Sequence, residues 1–366
     1  MKRYLRFIKN FDWIILLATL LLLGFSVAII FSTTFSLTGG TKEALQQAGY
    51  GVAGIIILFA IARLDYRSFK NYSALLYILT IAMLVAVRFI GTTTLGATRW
   101  INLGFFQFQP SELAKIFMII VMAKFFSERY DEMRKLKTFL LSIFYVAIPT
   151  ALVMMQPDLG TAMTFIVIWL AMVLVSNAKK IYLLVMFLCA LAVSPLVYGM
   201  LHDYQRNRIL TFLNPTADPM GTGWNVNQAM IAIGSGKWFG RGLGHGPQSQ
   251  LNFLPFKHTD FVFAALAEEM GFLGAGAILV LFAVILYRCI RTAMLARDYF
   301  GMYLAVGIFA MLFFHIFINI GMNLGMMPVT GIPLPLISSG GTSIIITLAA
   351  IGIIESIIMR YKKIDF

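Results

Sequence analysis

Charge is what this chain has least of. Only 12% of its 366 residues are Asp, Glu, Lys or Arg, about half the share usual in soluble domains. An ordinary soluble domain is thereby excluded. With 60% hydrophobic residues and a mean hydropathy of +0.84, the chain reads as an all-α, polytopic membrane protein. Cysteine is nearly absent: Cys189 and Cys289 fall within or at the end of apolar runs, which excludes a disulfide framework. The four histidines are scattered, with no His-Glu-x-x-His pattern and no acidic cluster, so no metal signature is present. A phosphate loop is excluded as well. Gly236-Lys237 is followed by Trp238, and Ile231 stands where the first glycine belongs. No basic patch sits on a soluble domain, so the net charge of +13 is not a nucleic-acid footprint.

What the chain does have is about ten apolar runs, at 13–31, 44–62, 73–90, 112–126, 139–155, 160–175, 181–200, 262–287, 299–322 and 341–358. Most are long enough for roughly 30 Å of hydrocarbon. The first follows Lys2, Arg3, Arg6 and Lys9 but is too long for a signal-peptide core, so it is expected to be retained. Alternate connections carry most of the lysine and arginine, which the positive-inside rule places in the cytoplasm together with both termini. The whole of 1–366 is expected to form one membrane domain, with a large extracytoplasmic loop at 201–261 between the seventh and eighth spans. Within that loop, 224–233 has the pattern of a short amphipathic surface helix.

The remaining polar chemistry gathers on the side expected to face outward. Asp260 opens the eighth span, beside Lys257 and His258; it is a candidate N-cap and also a candidate reactive carboxylate. Glu268 and Glu269 follow inside the span, where acids are expensive, and suggest a polar interior. Glu112 and Lys115, three apart at the start of the fourth span, can pair on one helix face, with Ser111 a candidate cap. Arg99-Trp100 suits a lipid phosphate or a headgroup anchor. His315, Asn319 and Asn323 form a stripe suited to interhelical hydrogen bonds, and Gly321 and Gly325 suit close packing. The proline-rich segment 327–341 cannot be regular helix.

These motifs resemble the SEDS family (shape, elongation, division and sporulation) of cell-wall polymerases. The resemblance is carried in collinear order by 96–101, 109–115, 156–161, 218–236, His258-Thr259-Asp260-Phe261, Glu268-Glu269-Met270-Gly271 and 328–341. Residues 157–160 and 248–255 are more similar to the elongation branch, RodA, than to the division branch, FtsW. Two positions depart from the family pattern. Phe256 stands where a glutamate is usual, and Ser339 where a tyrosine is usual.

The resemblance implies a peptidoglycan glycosyltransferase that polymerises lipid II, a polyprenyl-diphosphate-linked disaccharide pentapeptide, by inverting displacement of polyprenyl diphosphate. It implies Asp260 as general base and Glu112 in positioning or gating. Arg99, Lys115, Asp158, Arg206, Arg208, Lys257, His258 and Ser338 are the expected substrate-binding residues. The implied partner is a class B penicillin-binding protein, a transpeptidase. No cofactor is expected, with a divalent cation left open. A lipid II flippase and a non-catalytic scaffold of the wall-synthesis complex are the alternatives.

Overall fold

The computed structural model describes residues 10–38, 40–94, 97–102, 104, 107–200, 206, 210–212 and 223–361. Helices stand at all ten apolar runs: α1 (Trp13–Thr38), α2 (Thr41–Arg63), α3 (Ser68–Ile90), α4 (Pro110–Glu128), α5 (Leu136–Met154), α6 (Leu159–Val175), α7 (Lys180–Met200), α9 (Val262–Leu295), α10 (Tyr299–Asn323) and α11 (Gly341–Tyr361). A shorter helix, α8 (Trp224–Ser235), precedes α9. In hydrocarbon every backbone polar group needs an internal partner, and a helix supplies it within the segment. Seven of the ten are long and apolar enough to cross a bilayer by length and composition. Beyond these, α6 is shorter at 17 residues, Lys180–Ser194 of α7 is a further apolar stretch, and α4 carries Glu112, Lys115, Lys124 and Glu128.

α4 is buried on almost every face, as are α10 and α11, so these three form the centre of the bundle. α2 lies against α11 so closely that a Cβ on Gly54 would overlap Leu348 and one on Gly352 would press on the Leu58 carbonyl. Small residues allow that backbone approach where no hydrophobic effect drives helices together. Gly325 serves close packing, since a Cβ there would lie 2.9 Å from Met230 Sδ of α8, and it also ends the helix. Gly325 adopts φ +69° after the end of α10, with its N–H donating to Met322 O and the Met326 N–H donating to Gly321 O. That pairing is a left-handed C-terminal cap requiring glycine.

α9 is not continuous. Gly271 has φ 66° and ψ −166°, breaking the helix between its first nine residues and the rest. The groups freed by the break are met by the loop after α8. Arg241 and Gly242 N–H donate to the carbonyls of Glu268 and Glu269, while Phe272 and Leu273 N–H donate to those of Lys237 and Trp238. Irregular backbone at this depth survives because protein satisfies it. Between α3 and α4 runs a small antiparallel meander, β1 (Thr92–Thr94), β2 (Ala97–Asn102) and β3 (Gln107–Phe108), in the order β1-β2-β3. At the opposite end of the bundle, Arg67 pairs with Asp298, Arg360 with Asp65 and Arg288 with Asp12.

Candidate active site

A cavity of about 580 Å³ opens at the end of the bundle that carries the meander. Its wall is assembled from β2, the N-termini of α4 and α6, the turn before α9, the middle of α10 and the irregular segment before α11. Six of the expected site residues line it: Arg99, Glu112, Lys115, Asp158, His258 and Asp260. They are far apart in sequence and meet only because their helices end at one level.

Asp260 sits on a rigid mount. Its carbonyl accepts hydrogen bonds from Asn319 Nδ2 at 3.0 Å and Asn323 Nδ2 at 3.1 Å. One residue earlier, Thr259 O accepts from Ser338 Oγ at 2.7 Å, and His258 O accepts from Ser339 N–H at 2.8 Å. The proline-rich segment and the asparagine stripe thus fix the backbone from which the carboxylate projects. Asp260 is not a helix cap: the cap position belongs to Phe261, with no side-chain bond. His258 also borders the cavity, and its Nδ1 is buried without a hydrogen-bond partner. Burial first, then the Lys257 charge, hold its imidazole below the usual histidine range.

Across the cavity, Lys115 Nζ lies 2.7 Å from Glu112 Oε1, both side chains almost fully buried. Pro110 at the first turn starts α4, and no side chain caps it; Ser111, the candidate cap, has its hydroxyl buried without a partner. Asp158 caps α6, accepting from Thr161 N–H at 3.2 Å and Thr161 Oγ1 at 2.9 Å. Arg99 Nε donates to Gln156 O at 3.1 Å, and its Nη2 donates to Pro157 O. The meander and the α5–α6 connection therefore aim the guanidinium together.

Three other expected residues stand elsewhere. Lys257 turns away from the cavity and is buried, donating to Ser249 O and to Asn252 Oδ1 at 2.8 Å. Burial holds its ammonium below the usual lysine range. Ser338 is buried and braces the Asp260 turn instead of facing the cavity. Arg206 is half-buried, donates to Gly199 O and is not part of the lining. Arg208 lies outside the described residues.

Glu268 and Glu269 form a buried polar cluster of their own and do not line the cavity. Glu268 accepts from Gln248 and Ser249 N–H at 2.8 and 3.0 Å, and Glu269 accepts from Ser32 Oγ at 2.6 Å and Gln250 Nε2 at 3.3 Å. Both hold the glycine-rich loop down. Conversely, Gln46 and Tyr50 of α2 line the cavity and were not anticipated, although polar residues four apart in an apolar run were a readable signal. Gln109, Thr161 and Ser343 add to the polar lining.

A polar chamber walled by carboxylates and cations, set at one end of a bundle of long apolar helices, defines an integral membrane protein with a polar site. Residues 11–363 match the family model described as cell cycle protein, which spans FtsW, RodA and SpoVE, and the chain belongs to that family. It is 38% identical over 357 residues to the peptidoglycan glycosyltransferase MrdB of Escherichia coli, covering 97% of this chain and 95% of that protein. Its fold is similar to a solved chain from work on how a peptidoglycan synthase complex coordinates polymerisation and crosslinking. There the TM-score is 0.83 and the identity 29%, over 96% of this chain and 99% of that one. It is also similar to the rod shape determining protein RodA of Thermus thermophilus, with TM-score 0.71 and identity 27%, over 96% and 98%.

Proposed function

We infer that this chain is a peptidoglycan glycosyltransferase that polymerises lipid II into glycan strands in the elongation and shaping of the cell. The observation that carries the chemistry is Asp260, fixed by four hydrogen bonds to its turn, in one chamber with Arg99 and Lys115. The acceptor sugar hydroxyl attacks the anomeric carbon of the donor from the face opposite the leaving group. Its proton passes to the Asp260 carboxylate as the new carbon–oxygen bond forms. The bond from the anomeric carbon to the diphosphate oxygen breaks, and the electron pair leaves with polyprenyl diphosphate. Negative charge grows on that diphosphate, and Arg99 and Lys115 are the lining cations placed to stabilise it. Glu112 keeps Lys115 in place. This scheme is written with no resident cofactor and leaves a divalent cation open.

The chamber is proposed to face the exterior, with both termini cytoplasmic, because the arginine-rich end of the bundle is the opposite one. A single-pass class B penicillin-binding protein that cross-links the strands is the proposed partner. A flippase needs polar access from both faces. The acids that would serve it, Glu268 and Glu269, are closed off by loop donors. Purified protein incubated with lipid II should yield glycan polymer on a gel, and Asp260→Asn should lower the rate by about 10²–10⁴-fold while melting like wild type. Polymer from the variant at the wild-type rate would remove Asp260 from the mechanism.

A further inference from the structure

His315 lines the same chamber and has no part in the chemistry above. Its Nε2 lies 3.2 Å from Lys115 Nζ, and both side chains are buried. An ammonium group can only donate, so the imidazole nitrogen accepts and carries a lone pair. The ring is thereby the Nδ1–H tautomer. Thr164 Oγ1, 3.4 Å from the same nitrogen, donates its own proton to Gly160 O at 2.9 Å and does not compete for it. Two of the three N–H bonds of Lys115 are therefore taken by partners on different helices, Glu112 on α4 and His315 on α10. The third is left for the chamber.

We propose that His315 is a positioning residue, whose bond from α10 fixes the orientation of the Glu112-paired Lys115 ammonium so that its third N–H presents charge to the diphosphate of the lipid-linked substrate. The inference rests on the polymerase reading. Without an acceptor on α10, Lys115 has its ion-pair partner three residues earlier on its own helix. Held by that carboxylate alone, the ammonium can rotate and turn its third N–H away from the chamber. With His315 in place, the cation is suspended between two helices and faces the leaving group.

The test compares His315→Leu, which has no acceptor, with His315→Gln, whose amide oxygen reaches near the Nε2 position, in steady-state polymerisation of lipid II. His315→Leu should raise KM by about tenfold, as expected when one charge-assisted hydrogen bond is lost. Inhibition by polyprenyl diphosphate should weaken in the same ratio. His315→Gln should stay within about threefold of wild type. Combined with Lys115→Met, His315→Leu should change KM no further, because its effect passes through that lysine. If His315→Leu fails to fold, His315→Ala replaces it with the same expectation.

An unchanged KM in the apolar variant overturns the inference. So do equal kcat losses in Leu and Gln variants with KM unmoved, which would mark a purely structural role. Failure of the wild-type protein to polymerise lipid II would instead overturn the polymerase reading.

Discussion

Glu112 and the pair Glu268–Glu269 are equally deep, at 4%, 0% and 1% exposed, yet they belong to different machines. The two acids of α9 are satisfied by protein donors: backbone N–H groups for Glu268, hydroxyl and amide groups for Glu269. Glu112 faces a cation that itself borders an open chamber. Depth therefore says little about role. What separates the two regions is whether the partners of a buried carboxylate close the site or leave a charge directed at empty space.

The sharpest way to break this comparison is to set Asp260→Asn beside Glu269→Ala. The first should abolish most polymerisation with little change in melting temperature. The second should strip Ser32 and Gln250 of an acceptor and destabilise the fold by about 2–3 kcal/mol, while folded molecules keep polymerising within about threefold of wild type. The reverse pattern, an inactive but stable Glu269→Ala, would mean that α9 acids take part in chemistry.

Next in size is Gly271→Ala. The glycine conformation there lies outside what other residues adopt, and a Cβ would sit 2.2 Å from Gly240 N. A loss above about 3 kcal/mol is expected, seen as failed expression or a collapsed melting transition. A well-folded alanine variant would show that the clamp between the loop and α9 is not needed.

The ten helices were legible because hydrocarbon imposes length and apolarity on every span. The break at Gly271 was not, since an apolar run looks continuous and the backbone partners that heal it come from Lys237–Gly242, some thirty residues earlier. Arg99, Glu112, Lys115, Asp158 and Asp260 were legible as charges at the ends of apolar runs. Nearness of Lys257 in sequence to Asp260 does not fix direction: the turn sends one side chain to the chamber and the other under the loop. Gln46 and Tyr50 escaped notice because uncharged polar residues barely alter the hydropathy of a span.

A smaller effect concerns pH. His258 has its folded pKa pushed below its ordinary 6.5, chiefly by burial, so the unfolded chain binds a proton that the native one resists. Stability is then present above about pH 6.5 and declines as pH falls through and below that value. Melting temperature measured from pH 8 to pH 5 should drop more steeply for wild type than for His258→Gln. Parallel curves would show that another group sets the acid limb.

The least effect is expected at Ser339, the chamber position where the family usually has tyrosine. Its backbone N–H, not its side chain, donates to His258 O and supports the Asp260 turn. Ser339→Tyr keeps that bond and adds a ring at the chamber wall. The polymerisation rate should move by less than about threefold, within the range of substitutions that leave buried networks intact. Initial rates on lipid II decide it. A gain of tenfold or more would identify the ring as a substrate contact, and would move the boundary between the two regions, since a residue assigned here to bracing the turn would then belong to binding.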